Sequence, residues 1–245
     1  MPNTNVHYQY VSSRTWLITF INHPSSIIMM SKTVVISVGG SIINPGTINT
    51  PFLERLKTFV TNSPLRFILI CGGGINARTY MAAAKTFGVK GDSLDYIGIQ
   101  ATLLNAELLR HIFNAPQVQQ QPKTSSFKKV LVAGGWEPGC STDYDAVLFA
   151  LKYKSDTIIN LTNVDYVYTK DPKEPGAEPL KCISWADYRS MISSKWSSGL
   201  HAPFDPIASK SAQKHNLRVL CINGERLSEI EKALAGKPFI GTVIG

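Results

Sequence analysis

The sequence predicts a three-layer α/β/α sandwich with a mostly parallel central sheet, on the evidence of three observations. Short apolar runs rich in β-branched residues alternate with segments in which apolar residues recur at helical spacing. The alternation continues from Lys32 to the end of the chain, and it is typical of parallel strands joined by crossover helices. Three of the predicted strands end in glycine pairs or triplets, at the edge where such sheets bind ligands.

The first half of this pattern contains three strands and three helices. In chain order, the predicted strands are 33–38, 67–71 and 130–133. The predicted helices are 52–60, 76–87 and 92–113. Before the first helix, Thr50 is positioned to cap it and Pro51 to occupy its first turn. The stretch 114–126, rich in Gln, Pro and Ser, is predicted to be an irregular connection.

The second half repeats the alternation without a convincing internal repeat. The predicted elements are a helix at 143–153, a strand at 157–161, a proline-containing loop at 171–179, a helix from about Asp205, a strand at 218–222, a helix at 227–234, and a terminal strand through Ile240 and Val243. The predicted strands are mostly apolar, and β-branched runs such as that at 33–38 are typical of buried strands.

Composition and charge limit the classes of partner that the protein is expected to bind. Of the 245 residues, 44% are hydrophobic and 17% are charged, which indicates a globular protein with an ample core. The formal net charge is +8, but the longest basic run is Lys128-Lys129. Because no basic stripe is present, we expect a small anionic substrate and no nucleic-acid partner.

The first 31 residues interrupt the regular pattern. Their apolar stretch is short and is followed by Pro24, so we expect no membrane span. We interpret residues 1–31 as an N-terminal extension, poorly ordered or derived from an upstream start, and residues 32–245 as a single domain. The four cysteines lack CxxC spacing and are expected to be free buried thiols in a reducing, cytoplasmic setting: Cys71, Cys140, Cys182 and Cys221.

Three glycine loops follow the predicted strands, at 38–41, 71–74 and 133–136. Glycine amides at strand ends can approach a phosphate closely. The chain contains neither GxxxxGK[ST] nor GxGxxG, so a P-loop kinase and a dinucleotide fingerprint are both disfavoured. Two further stretches stand out, GGWEPGCSTD at 134–143 and LTNVDYVYTKDP at 161–172.

Together with the glycine loops, Arg78 and the DYIGI stretch at 95–99, these motifs resemble the archaeal-type UMP kinases of the amino acid kinase superfamily. The resemblance runs in order from about residue 32 to residue 245. It implies an amino acid kinase-like fold with an acceptor-binding N-terminal half and an ATP-binding C-terminal half. It also implies a cytoplasmic enzyme that phosphorylates UMP with ATP and Mg²⁺ in pyrimidine biosynthesis, and a homohexamer.

The resemblance also implies roles for individual residues. Those matching ATP contacts are Gly39, Gly40, Ser41, Gly74, Arg78, Thr162, Asn163, Tyr168 and Asp171. Those matching acceptor contacts are Gly73, Asp95, Trp136, Glu137, Pro138, Gly139, Cys140, Ser141 and Thr142. Asp143 and Lys210 match positions that organise and neutralise the transfer site. Phosphoryl transfer needs positioning and charge neutralisation more than covalent catalysis, so these residue types suit it.

Each residue also has a local interpretation. The loop at 72–74 could be a turn that needs positive φ, Asp143 a helix-start residue, and Tyr168 ordinary strand packing. Arg78 and Lys210 could be solvated helix residues, and Asp95 could pair only locally.

The sequence departs from the family pattern at four places. Ser37 stands where many superfamily kinases have a phosphate-binding lysine, and Leu103 replaces a common arginine. Tyr166 replaces a glycine, and Tyr144-Asp145 replaces small residues. These changes leave two alternatives open besides a UMP kinase. One is a sister kinase acting on carbamate, acetylglutamate or isopentenyl phosphate, and the other is a nucleotide-binding regulator without catalysis.

Overall fold

The computed structural model describes residues 33–195 and 202–245. The predicted N-terminal extension, residues 1–31, lies outside the described residues, and its boundary at residue 32 stays a prediction. Among the described helices, none is both long and apolar enough to cross a membrane.

The sheet has five parallel neighbours in the order β3-β2-β1-β4-β8, followed by β9 and β7. Its strands are β1 (Thr33–Val38), β2 (Arg66–Cys71), β3 (Val130–Ala133), β4 (Thr157–Thr162), β7 (Cys182–Ile183), β8 (Arg218–Asn223) and β9 (Thr242–Ile244). Strand β9 pairs antiparallel with β8 and parallel with β7. Two short strands, β5 (Val167–Tyr168) and β6 (Pro179–Leu180), form a separate antiparallel pair.

Helices cover both faces of the sheet, which confirms the predicted three-layer fold. They are α1 (Gly40–Ile43), α2 (Thr50–Asn62), α3 (Gly74–Thr86), α4 (Asp92–Phe113), α5 (Thr142–Lys152), α6 (Trp185–Met191), α7 (Pro206–Lys214) and α8 (Ser228–Leu234). Alternate residues of a strand face opposite sides of the sheet. Accordingly Val34 and Ile36 of β1 join one buried cluster with α2 and α4, whereas Val35 joins another with α5 and α7.

Several predicted boundaries are wrong by one or two residues for identifiable reasons. Asn49, not Thr50, caps α2, because its side-chain oxygen accepts the amide of Phe52 at 3.2 Å while Thr50 is already helical. Helix α3 begins at Gly74, two residues earlier than predicted, directly at the end of the glycine loop. The terminal strand begins only at Thr242, after Ile240.

The segment between the proline-containing loop and α7 has elements that the sequence did not predict. Strand β7 is two residues long, and α6 begins after Ser184, whose hydroxyl accepts the amide of Asp187 at 3.1 Å. Trp185 and Tyr188 of α6 are buried against Phe204. These elements escape sequence patterns because they are short and are stabilised mainly by distant contacts.

Strand β9 links the main sheet to the β5–β6 pair. The hydroxyl of Thr242 accepts the amide of Val167 at 2.8 Å and donates to the carbonyl of Leu180. Thr242 is fully buried, so this one side chain fixes where both short strands sit.

Candidate functional site

The three glycine loops lie at one edge of the sheet, because β1, β2 and β3 are parallel neighbours whose carboxyl ends coincide. The loop after β1 touches its neighbours through backbone atoms: Gly39 donates its amide to Leu161 at 3.3 Å, and Gly72 donates to Val38 at 3.0 Å. A Cβ built on Gly40 would lie 2.0 Å from the nitrogen of Gly74. Only glycine therefore allows the first two loops to approach this closely.

Helix α3 starts at this contact. Gly74 has φ of +65°, and the cap residue Gly73 offers no side-chain acceptor to the first turn. The amides at the start of a helix carry partial positive charge and point along its axis. The start of α3 is thus suited to an anionic group placed at the glycine loops.

Helix α4 holds the other two loops through buried polar side chains. Asn105 donates its amide nitrogen to the carbonyl of Gly72 at 2.7 Å, and Thr102 accepts the amide of Gly135 at 2.7 Å. Neither residue was predicted as a site residue. The available signal was a polar pair at a spacing of three residues within an otherwise apolar helix face.

The stretch 136–142, which is predicted to contact the acceptor and is therefore called the acceptor loop, is fastened at three points. Gly139 donates its amide to Asp95 Oδ2 at 2.8 Å, so the predicted site residue Asp95 holds this loop directly. Trp136 donates its amide to Asp145 Oδ2 at 3.3 Å. At the far end, Ser141 caps α5 by accepting the amide of Asp143 at 3.1 Å.

Asp143 joins three elements at the end of the acceptor loop. Its Oδ1 accepts the hydroxyl of Ser37 in β1 at 2.9 Å, and its Oδ2 accepts the amide of Asp205 at 3.3 Å. The carboxylate of Asp205 in turn accepts the hydroxyl of Ser141 and caps α7 through the amide of Ala208 at 2.8 Å. Ser37, noted only as a departure from the family pattern, therefore supplies a neutral donor to Asp143.

Three carboxyl groups share this buried region, and each has a raised pKa. Burial and the nearby Asp205 raise the pKa of Asp143 to about 7, against the opposing hydrogen bond from Ser37. Burial raises the pKa of Asp145 to about 8, and Asp205 and Asp143 add to this effect. Burial also raises the pKa of Asp205. Like charges in a poorly solvated region disfavour full ionisation, so protons are retained here near neutral pH.

The predicted ATP side lies at the carboxyl ends of β4 and β8. The hydroxyl of Thr162 donates to the carbonyl of Val164 at 2.8 Å, which shapes the turn that contains the exposed Asn163. Asp165 in this turn pairs with Arg226 at 2.9 Å and accepts the side-chain amide of Asn223 at 2.8 Å. The Arg226 hydrogen bond also lowers the pKa of Asp165. Arg226 and Asn223 were not predicted as site residues, because they are distant in sequence from the turn.

The remaining predicted residues on this side are less constrained. Tyr168 packs edge-to-face against Tyr166, with 6.3 Å between ring centroids. Asp171 is exposed and accepts the amide of Lys173 at 2.9 Å. Tyr166, one of the departures from the family pattern, therefore adds an aromatic neighbour to Tyr168.

Leu103, another departure, packs against the third glycine loop. Its side chain would lie 2.8 Å from a Cβ built on Gly134.

Two predicted cations are not brought into this network. Arg78 lies on the exposed side of α3. Lys210 is exposed on α7 and lines a cavity of about 390 Å³ together with Arg189 and Ser194. Their predicted roles at the transfer site stay predictions.

The four cysteines are all free, as expected, but they are not all buried. Cys71 and Cys221 are buried and Cys140 is partly buried, whereas Cys182 is exposed. The prediction of burial is wrong for Cys182 because this residue is in the short edge strand β7, which ends the sheet.

The described residues contain no cluster of three or more His, Cys, Asp or Glu side chains that could hold a metal ion. Mg²⁺ commonly binds through substrate phosphates with only one or two protein ligands, so the predicted ATP and Mg²⁺ stay predictions here.

Comparison with known proteins gives a consistent result. The model of the family described as "Amino acid kinase family" matches residues 32–223. A curated uridylate kinase of Thermoplasma volcanium is 30% identical over 226 residues, covering 88% of this chain and 98% of the relative. A uridylate kinase of Methanocorpusculum labreanum is 32% identical over 223 residues, covering 86% and 95%.

Comparison with solved structures agrees with the family and sequence matches. The uridylate kinase of Archaeoglobus fulgidus superposes with a TM-score of 0.68 at 30% identity, covering 86% of this chain and 99% of that chain. The UMP kinase of Bacillus anthracis superposes with a TM-score of 0.72 at 21% identity, covering 87% and 96%, which supports the fold alone.

Proposed function

Because the chain belongs to the amino acid kinase family, we propose that it is a uridylate kinase, which transfers the γ-phosphoryl group of ATP to UMP and releases UDP and ADP. The relatives at 30% and 32% identity are named uridylate kinases and are covered almost completely by this chain. The proposal covers the acceptor, the donor and the Mg²⁺ that accompanies ATP.

One observation supports this proposal above the others: the backbone contact between the loops after β1 and β2, beside the anchored acceptor loop. Two anionic phosphates must be brought together for the transfer, and backbone amides can surround them without adding bulk. In this arrangement Gly40 and Gly74 face the donor phosphates, and Asp95 and the acceptor loop hold UMP.

Charge on the moving phosphoryl group is balanced by cations and amides and needs no general base, since a phosphate oxygen is already ionised at neutral pH. Ser37 supplies no charge here, so we assign this role to Arg78 and Lys210 in the bound complex. Both side chains are exposed and long enough to reorient when nucleotides bind. Mg²⁺ bound to the ATP phosphates adds Lewis-acid stabilisation.

The first test is turnover. Purified protein is incubated with Mg-ATP and, separately, UMP, CMP, dUMP, TMP, AMP or GMP, and formation of each diphosphate is followed. We expect strong preference for UMP. ATP binding without turnover of any of these nucleotides would contradict the proposal and favour a regulator, and turnover of carbamate, acetylglutamate or isopentenyl phosphate would favour a sister kinase.

Substitution of the two cations tests their roles. We expect Arg78→Ala and Lys210→Ala each to lower kcat/KM by about tenfold or more, as loss of one charge-assisted contact does. Lys85→Ala on α3 and Lys214→Ala on α7 are matched controls, because both lysines are exposed on the same helices. Equal effects in test and control variants would contradict the assignment.

We further propose that the enzyme is a cytoplasmic homo-oligomer, a hexamer by resemblance. The free thiols support a reducing compartment. Four large apolar side chains are exposed on α3, at its C-cap and on α4: Tyr80 at 69%, Phe87 at 86%, Tyr96 at 57% and Leu104 at 63%. Exposed apolar surface of this kind marks protein–protein contacts. Light scattering should give a multiple of the 26.9 kDa chain mass, and a monomer would contradict the proposal.

A further inference from the structure

Asp145 is a buried acid beside the acceptor loop for which the proposed transfer has no assigned use. It lies in the first turn of α5, its relative exposure is 1%, and its Oδ2 accepts the amide of Trp136 at 3.3 Å. Its Oδ1 is buried and has no hydrogen-bond partner among the described residues.

An ionised carboxylate in this position would be costly, because a buried charge with an unpartnered oxygen keeps its full desolvation penalty. The groups that face Asp145 would add to that cost. They are the carboxyl groups of Asp143 on its own helix, Asp205 at the start of α7 and Glu137 in the acceptor loop. The thiol of Cys140, which also faces Asp145, is uncharged near neutral pH because burial raises its pKa to about 12. Burial, with the neighbouring carboxyl groups, raises the pKa of Asp145 to about 8, against the opposing hydrogen bond from the Trp136 amide.

We propose that Asp145 is a positioning residue of the acceptor site, which as the uncharged acid holds the amide of Trp136 and thereby the start of the acceptor loop. The inference rests on the proposed function, because it takes residues 136–142 to be the part of the protein that receives UMP. In the uncharged form the carbonyl oxygen of Asp145 accepts the Trp136 amide. Loss of the proton adds negative charge beside Asp143 and close to the loop that receives a phosphate dianion, so acceptor binding weakens.

The direction of the pH effect follows from the location of the proton. Asp145 ionises as the pH rises through about 8, so the KM for UMP of the wild type should rise above that pH. One ionisation changes a binding constant by at most about tenfold per pH unit. UMP itself ionises for the second time at about pH 6, so measurements from about pH 7.5 to 9.5 avoid that ionisation. Comparison with Asp145→Asn separates Asp145 from Asp143, whose pKa is about 7.

The variants Asp145→Asn and Asp145→Ala separate the two parts of the proposal. The amide keeps the carbonyl acceptor and cannot ionise, so at neutral pH Asp145→Asn should keep the wild-type KM for UMP within about threefold and show no rise at high pH. Asp145→Ala loses the acceptor and should raise that KM by about tenfold, with a smaller change in kcat. Asp92→Asn, an exposed aspartate in the first turn of α4, is the control and should follow the wild type.

Two readouts without turnover distinguish failure of this inference from failure of the proposed function. Amide hydrogen exchange at one pH should be faster around Trp136 in Asp145→Ala but not in Asp145→Asn. The second readout is urea unfolding without nucleotide, from which the equilibrium constant for unfolding is obtained. Between about pH 6 and 9, this constant should rise for the wild type relative to Asp145→Asn by up to about 100-fold, because the folded-state pKa of Asp145 is about 8.

Exchange around Trp136 that is unchanged in Asp145→Ala, or unfolding curves with the same pH dependence in wild type and Asp145→Asn, would overturn the inference. An acceptor KM that rises with pH equally in both proteins would also overturn it. If the exchange and unfolding results are as expected but UMP is not phosphorylated, the positioning of the loop stands and the proposed function fails.

Discussion

The substitution Gly40→Ala tests whether the contact between the first two glycine loops is required. The added Cβ would lie 2.0 Å from the nitrogen of Gly74, 2.7 Å from the nitrogen of Gly73 and 2.7 Å from the carbonyl carbon of Gly72. All three atoms belong to the backbone, so no side chain can rotate away. The loops must separate by about 1.5 Å or more to reach ordinary van der Waals distance.

The expected cost can be estimated from this geometry. Overpacking a well-packed region costs about 1–3 kcal/mol, and rigid backbone on the contacted side places this change at or above the upper end. For a chain of about this size, 1 kcal/mol corresponds to about 2–4 °C in Tm, so we expect Tm to fall by about 6–12 °C. Because a shift of about an ångström at a transfer site can cost about 100-fold in rate, kcat/KM for ATP should fall by a similar factor.

The assay compares Gly40→Ala with Gly46→Ala by thermal unfolding and by steady-state kinetics in ATP. Gly46 lies in an exposed bend nearby, and a Cβ built on it meets no atom within 4 Å, so this control removes glycine without adding a clash. If Tm of the two variants differs by less than about 2 °C and kcat/KM by less than about threefold, the loops are not tightly apposed and the reasoning fails.

Three further predictions concern the acceptor loop, the buried acids and the thiols. Asp95→Ala removes the acceptor for the Gly139 amide, so KM for UMP should rise by about tenfold or more, and an unchanged KM would refute the contact. The pKa of Asp143 in the folded protein, about 7, exceeds its ordinary value, so its stabilisation is present at low pH and is lost as the pH rises through about 7. Urea unfolding should therefore show wild-type stability falling relative to Asp143→Asn by up to about 1.4 kcal/mol per pH unit between about pH 4 and 7, and parallel curves would contradict this. Ellman's reagent should modify exposed Cys182 in the native protein but buried Cys71 only after unfolding, and rapid native reaction of Cys71 would show that its strand opens.

The parts of the fold that the sequence predicted well are those governed by local pattern. Strands β1 and β2 are mostly apolar runs, and each is followed directly by its glycine loop, so both could be recognised without knowing the fold. The resemblance then indicated the residues around Asp95 and Asp143, which the structure joins to the acceptor loop.

The parts that could not be predicted depend on contacts between distant residues. The hydrogen bond from Ser37 to Asp143 spans 106 positions, and the pairing of Asp165 with Arg226 spans 61. No periodic pattern in the sequence indicates that these residues pair. At position 37, the only signal was that a serine stands where many kinases of the superfamily have a lysine. Likewise, the burial of α6 depends on Phe204, which only the folded chain brings near it.

The position of β9 has a consequence for how the protein is made. Thr242 anchors the β5–β6 pair, and β9 separates β8 from β7 in the sheet. Thr242 is synthesised 75 positions after Val167, the residue of β5 whose amide it accepts. Strands β1 to β4 and the acceptor loop can assemble while translation continues, but β7 has no neighbour until β9 arrives. The growing chain can therefore form the β3-β2-β1-β4 part of its sheet before the β8-β9-β7 part, and a nascent chain interrupted before residue 242 is unable to pair β7.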